Sequence, residues 1–131
     1  MFNVNHIAIS VVDSKRSIDF YKKFGFENYK SWEADDSSIK IDMLRLNNVV
    51  LEIFCYKDYK NLPETAKSTA TDLPIVGVKH LALGVTDIEI GKKFVIKNEL
   101  CSNIEIKVGR LGKPYFFITD PDGIQIEIIE E

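Results

Sequence analysis

Asp120-Pro121-Asp122-Gly123-Ile124-Gln125-Ile126-Glu127-Ile128-Ile129 is a turn followed by a strand. Proline fixes its own φ and glycine takes the positive-φ position, so the first four residues read as a tight turn. The isoleucine-rich run after them reads as a strand whose polar members are Gln125 and Glu127. A carboxylate in the middle of such a strand is costly if buried without a partner. Something elsewhere in the chain has to offset that cost.

Glu127 has a twin. Leu51-Glu52-Ile53 matches Ile126-Glu127-Ile128 at an offset of 75 residues. Asn5-His6-Ile7-Ala8-Ile9-Ser10-Val11 matches Lys79-His80-Leu81-Ala82-Leu83-Gly84-Val85 at an offset of 74. The match continues through Asp13 with Asp87 and Phe20 with Phe94. The two histidines of the chain each stand two residues before an alanine, and each is followed 46 or 47 residues later by a glutamate. This is an internal duplication.

Composition narrows the function. The 131 residues suffice for one globular unit or two small halves. A net charge of −3 gives no basic footprint for nucleic acid. No apolar run approaches the roughly 20 residues that cross a bilayer. Met1-Phe2-Asn3-Val4 lacks the regions of a signal peptide, and Cys55 and Cys101 form neither a disulfide framework nor a zinc spacing. The expectation is a cytoplasmic protein with reduced thiols.

The pattern predicts a plan of βαβββ, twice. In the first copy a strand spans 3–12, with Ile7, Ile9 and Val11 on one face and Val4, His6, Ala8 and Ser10 on the other. Asp13 is the N-cap candidate for a helix over 15–24 that turns Ile18, Tyr21 and Phe24 inward and ends at Gly25. Strands over 26–34, 38–46 and 49–55 follow. Residues 56–76 show neither period and read as a linker, long enough to lie over a pocket. The second copy has a strand over 77–86, Asp87 as N-cap, and a helix over 88–98 with Ile90, Phe94 and Ile96 or Lys97 at its inner edge. Strands over 102–108, 113–119 and after Gly123 complete it. Each copy should keep one strand face fully apolar under its helix. Module 1 is thus about 1–55, the linker about 56–76 and module 2 about 77–131, together one domain.

Two imidazoles and two carboxylates, one of each per half, are the donor types that bind divalent Zn, Ni, Co, Mn or Fe. A metal would also offset the desolvation of two glutamates held on strand interiors. Singly, a strand histidine or glutamate is more often structural; it is the repeated pattern that points to a metal site. Gly109-Arg110-Leu111-Gly112-Lys113-Pro114 matches no phosphate loop and reads as a hairpin turn, with Arg110, Lys113 and Arg45 as candidate anchors for an anionic substrate.

With these motifs the chain resembles the vicinal oxygen chelate superfamily, which includes glyoxalase I, fosfomycin resistance proteins, extradiol dioxygenases, methylmalonyl-CoA epimerase and bleomycin resistance proteins. The carriers are His6-Ile7-Ala8-Ile9, Ser17-Ile18-Asp19-Phe20-Tyr21, Leu51-Glu52-Ile53, His80-Leu81-Ala82, and Asp120-Pro121-Asp122-Gly123 through Glu127. The resemblance covers essentially the whole chain and is nearest to bacterial lactoylglutathione lyases. It implies an α+β fold of two tandem βαβββ modules forming a partly open mixed β-barrel around a metal site, with helices outside. It also implies one divalent metal ion (Ni, Co, Zn or Mn) on His6, Glu52, His80 and Glu127, with Glu127 and Glu52 catalytic.

The activity so implied is conversion of a 2-oxoaldehyde–thiol hemithioacetal to a 2-hydroxyacyl thioester through an enediolate, with one glutamate shuttling the proton. Two alternatives stay open. One is an epimerase acting on an acyl thioester through an enolate. The other is a non-catalytic drug-binding protein that holds a planar ligand between aromatics such as Trp32, Phe54, Tyr115 and Phe117. The partners expected are a small-molecule substrate and, by analogy, a second copy in a homodimer, with no nucleic acid and no membrane. The native metal, the thiol, the identity of the base, and whether the site closes within one chain or across a dimer are all left open by the residues.

Overall fold

The computed structural model describes residues 1–131, which divide into two compact units, Met1–Asn61 and Leu62–Glu131. The first unit contains β1 (Ile7–Val11), α1 (Ser14–Lys22), β2 (Glu27–Glu33), β3 (Ile39–Leu46) and β4 (Val49–Tyr56). The second contains a 3-10 turn (Glu64–Lys67), α2 (Thr69–Asp72), β5 (Leu81–Val85), α3 (Ile88–Lys97), β6 (Lys107–Val108), β7 (Pro114–Thr119) and β8 (Gln125–Glu130). The sheets have strand orders β1-β4-β3-β2 and β5-β8-β7-β6. In each, the first strand runs parallel to the last and the other neighbours are antiparallel. The fold is α+β, a tandem βαβββ, as the duplication predicts. No helix is long and apolar enough to cross a membrane.

A parallel pair needs a crossover, and a helix supplies it in each unit. Both begin at the aspartates singled out in the sequence. The Asp13 carboxylate accepts from the backbone N–H of Arg16 at 3.0 Å. Asp87 accepts from those of Glu89 and Ile90 at 2.8 and 3.2 Å. Gly25, at φ +96°, follows the end of α1. Helix α1 packs on β3 and β4, and α3 packs on β5 and β8.

The inner helix faces match at the repeat offset. Ser14, Ser17 and Tyr21 are buried on α1, and Ile88, Gly91 and Val95 on α3. This corrects the expectation for the second helix, since Ile90, Phe94 and Ile96 are 58%, 37% and 46% exposed. The reason is steric. A Cβ on Gly91 would stand 3.2 Å from Val85 and 3.3 Å from Ile128, so the helix brings its smallest residue to the sheet and turns larger ones away. Two further expectations shift. The strand over 102–108 shortens to Lys107–Val108, and the segment over 56–76 contains the 3-10 turn and α2.

The helix-facing side of the first sheet is not fully apolar either. Asp42 on β3 is 1% exposed among Leu44, Leu51 and Ile53. It accepts hydrogen bonds from the Ser14 hydroxyl of α1, from Ser31 Oγ at 2.5 Å and from Asn28 Nδ2 at 3.0 Å. Lys40 Nζ lies 3.5 Å away. Asn28 and Ser31 differ in parity along β2, yet both reach Asp42 because a register shift between Asn28 and Lys30 inserts Tyr29 as an extra residue. Burial pushes the Asp42 pKa up, but the Ser14, Ser31 and Asn28 donors and the Lys40 charge outweigh it, and the net shift is downward.

A carboxyl with a depressed folded-state pKa stabilises the fold fully above its unfolded value and loses that contribution as pH falls through the folded value. Asp42→Ala should therefore lower stability at neutral pH by about 3 kcal/mol, through lost charge-assisted bonds and stranded donors. In urea melts the deficit should shrink as pH is lowered below 3.8. An unchanged midpoint at neutral pH would show that the cluster is not a stabilising joint.

Candidate metal centre

The parallel registers place the candidate residues. Ala8 of β1 pairs with Glu52 of β4, and Ala82 of β5 pairs with Glu127 of β8. Each histidine lies just before its strand, two residues ahead of the paired alanine. Residues two apart share a face. The alanine's single carbon leaves space through which the imidazole reaches the glutamate. His6 Nε2 stands 3.2 Å from Glu52 Oε2, and His80 Nε2 stands 3.2 Å from Glu127 Oε2. Both glutamates are largely buried, at 17% and 16% side-chain exposure. Each unit thus brings one sequence-predicted pair together, and within neither unit does a third His, Cys, Asp or Glu join it.

The surroundings differ between the pairs. Asn5 Oδ1 lies 2.8 Å from His6 Nδ1, a neighbour the sequence reading passed over. With a carbonyl oxygen there, Nδ1 carries the proton. Nε2 is then the nitrogen that faces Glu52 and would meet a cation. His80 instead meets the ring of Phe117 edge to face, centroids 5.1 Å apart. Position 79 is a lysine whose Nζ reaches the Asp72 carboxylate at 3.2 Å and the Asp72 carbonyl at 3.0 Å. Gln125, two residues before Glu127, donates to the Lys67 carbonyl at 3.0 Å. The segment before β5 is therefore tied down beside both members of the second pair.

The candidate anchors for an anionic substrate are all exposed. Arg45 is exposed, with its guanidinium 4.3 Å from the Tyr29 ring centroid. Arg110 and Lys113 are exposed on the hairpin between β6 and β7, which closes through Gly109 N–H to the Lys113 carbonyl at 2.9 Å.

The donor chemistry fits a divalent metal. Two ligands about 2.1 Å from one ion at a right angle are about 3.0 Å apart, close to the separation in each pair. Asn5 holds the remaining His6 nitrogen in the way a second partner fixes a metal-bound imidazole.

A tandem βαβββ chain with a His–Glu pair on each parallel strand pair defines a glyoxalase-like protein. A family model described as Glyoxalase/Bleomycin resistance protein/Dioxygenase superfamily matches residues 3–128, and the chain belongs to that superfamily. It is similar to the Bacillus subtilis protein YwkD, at 27% identity over 98% of this chain and 97% of that one. A glyoxalase family protein from Enterococcus faecalis superposes with a TM-score of 0.79 at 28% identity, over 98% of this chain and 97% of that one. The glyoxalase I of Leishmania major, described as trypanothione-dependent, superposes at 0.66 and 25% identity, over 96% of this chain and 84% of that one.

The turn that delivers Glu127 is built as its sequence predicts. Asp120 Oδ1 accepts from the N–H groups of Asp122 and Ile124, each at 2.9 Å, and Gly123 sits at φ +91°. Asp120→Ala should cost about 2 kcal/mol by freeing two backbone donors, and Asp120→Asn should recover part of it. Thermal melts of the two variants check this, and equal loss in both would point to charge instead of the turn bonds.

Proposed function

We propose that this chain is a metal-dependent lyase of glyoxalase I type, with His6, Glu52, His80 and Glu127 as the ligand set for one divalent ion such as Ni, Co, Zn or Mn. The observation that supports it is the twin pair: the same two donors at the same 3.2 Å separation, at equivalent positions of a duplicated fold. When bound, the metal supplies Lewis-acid stabilisation of negative charge on two neighbouring substrate oxygens. The reaction itself is a proton transfer between adjacent carbons. In a hemithioacetal, a carboxylate takes the proton from the carbon bearing the hydroxyl and sulfur and returns it to the former carbonyl carbon, while the hydroxyl proton passes to the former carbonyl oxygen, giving a 2-hydroxyacyl thioester. Glu127 is assigned that shuttle and Glu52 the opposite side of the substrate. The histidines hold the ion, and Asn5 fixes the ring of His6. We take the two units as modules of one domain that works in the cytoplasm as a homodimer.

Elemental analysis of purified protein tests this first. The expected result is about one transition metal per chain, lost on chelation and in His6→Ala. Asn5→Ala should weaken metal binding about tenfold or more through the freed imidazole. Glu127→Gln should lower turnover of a hemithioacetal by about a hundredfold or more. If the protein takes up no metal after incubation with Ni, Co, Zn and Mn, the lyase reading falls and the pairs are structural.

A further inference from the structure

Residues 62–79 of the second unit are held with little apolar support. The 3-10 turn and α2 contain no buried residue, and Leu73, Ile75, Val76 and Val78 are all exposed. What fixes the segment is a short series of polar ties. Gln125, itself buried, donates from Nε2 to the Lys67 carbonyl of the turn at 3.0 Å. The Thr71 hydroxyl joins α2 to the turn by donating to the Thr65 carbonyl at 2.6 Å. Lys79 Nζ then returns to the end of α2, 3.2 Å from the Asp72 carboxylate and 3.0 Å from the Asp72 carbonyl. Leu62 lies against the Gly123 turn, where a Cβ on the glycine would stand 3.5 Å from Leu62 Cδ2.

These ties make a closed circuit. It leaves β8 at Gln125, two residues before Glu127 and on the same strand face. It rejoins the chain at Lys79, the residue before His80. The last link is the 3.2 Å contact of His80 with Glu127. A segment with few buried apolar contacts opens locally at low cost, so its placement depends on each tie. The Lys79 and Asp72 side chains are only 19% and 14% exposed, and water screens such a pair less than one on the open surface. The first unit has no counterpart, since residues 1–6 are exposed and His6 is held by Asn5 instead.

We infer that residues 62–79 form a strap that positions the His80 ring against Glu127, with Asp72, Lys79 and Gln125 as positioning residues. The consequence for metal binding rests on the reading of His80 and Glu127 as ligands. The placing of the ring itself can be followed without metal.

Imidazole NMR and nickel titration test it. The chain has two histidines, so two rings are observed. Spectra of metal-free protein are taken well above the ordinary histidine pKa, where both rings are neutral. In wild type the Phe117 ring displaces the His80 ring-proton shifts. In Asp72→Asn and Lys79→Met the His80 shifts should move toward those of free histidine while the His6 shifts stay, and Lys79→Arg, which keeps the cation, should restore them. Asp72 lies on the strap, where the turn and α2 bury nothing, so Asp72→Asn keeps the fold. Nickel affinity should fall about tenfold in Asp72→Asn and in Lys79→Met, the usual cost of losing a partner that orients a ligand. Gln125→Met combined with Asp72→Asn should weaken binding no more than either alone, because a circuit cut once is open. His80 shifts unmoved in both Asp72→Asn and Lys79→Met would overturn the strap, and nickel uptake by wild type would then leave the metal reading intact. Nickel binding weaker in Asp72→Asn but stronger in Lys79→Met would assign the effect to the freed ammonium charge and also overturn the strap. If wild type binds no nickel, the metal reading falls and the His80 shifts still decide: moved by cutting a tie they keep the strap, unmoved they overturn it.

Discussion

The structure depends on the register of two parallel strand pairs. Ala8 opposite Glu52 and Ala82 opposite Glu127 are what bring each histidine to its carboxylate. A slip of one residue would turn Glu52 into the layer that holds Leu51 and Ile53, both essentially unexposed. A second carboxylate there would face Asp42, whose donors are already engaged, so the slip would cost several kcal/mol by desolvation alone. Register is thus enforced from the helix side and used on the other side. The crossover that makes the pairing parallel also supplies the cover that pins it, with small residues at Ser17 and Gly91 where helix meets sheet.

The two copies solve one packing problem with opposite chemistry. In the first, α1 is joined to β3 through Ser14 and Asp42, helped by Ser31 and Asn28. At the repeat offset the second has the apolar Ile88 and Phe116, 6% and 1% exposed. A buried charge needs every partner in place, whereas an apolar pair tolerates small shifts. The polar joint therefore ties β2 to β3 and α1 at defined positions, and the bulge at Tyr29 exists to serve it. It also directs Trp32 to the side of the sheet that carries Glu52. A structural charge on one face thereby sets which aromatic residues stand on the other.

Features repeated or locally encoded were legible in the sequence. The duplication gave the tandem fold, the caps at Asp13 and Asp87 act through adjacent backbone, and the turn at 120–123 uses its own side chain. The histidine and glutamate positions stood out because echoes at 74 and 75 residues pick out residues that no single strand pattern would. What was hidden depends on contacts far along the chain. Size misled the reading of α3, where large apolar residues suggested an inner face and close approach at Gly91 decided otherwise. Asp42 breaks the expectation of a fully apolar strand face, and only its partners at Ser14, Asn28 and Ser31 show how a carboxylate is held there. Asn5 carried no pattern, since its counterpart in the repeat is Lys79.

That last difference bears on how the two pairs divide their work. Asn5 fixes the ring of His6 through Nδ1, while His80 is held by the edge of Phe117 and its neighbour Lys79 anchors the segment ahead of β5. A hydrogen bond from Nδ1 to a carbonyl oxygen makes an imidazole a more basic donor at Nε2, and an aromatic contact does not. Duplication alone would have left two interchangeable pairs. The chain has instead given the first a polar orienting partner, and the second an aromatic wall beside a tethered segment. The asymmetry lies with the histidines: His6 is 38% exposed beside a polar partner and His80 26% beside an aromatic wall, while Glu52 and Glu127 are equally buried, at 17% and 16%.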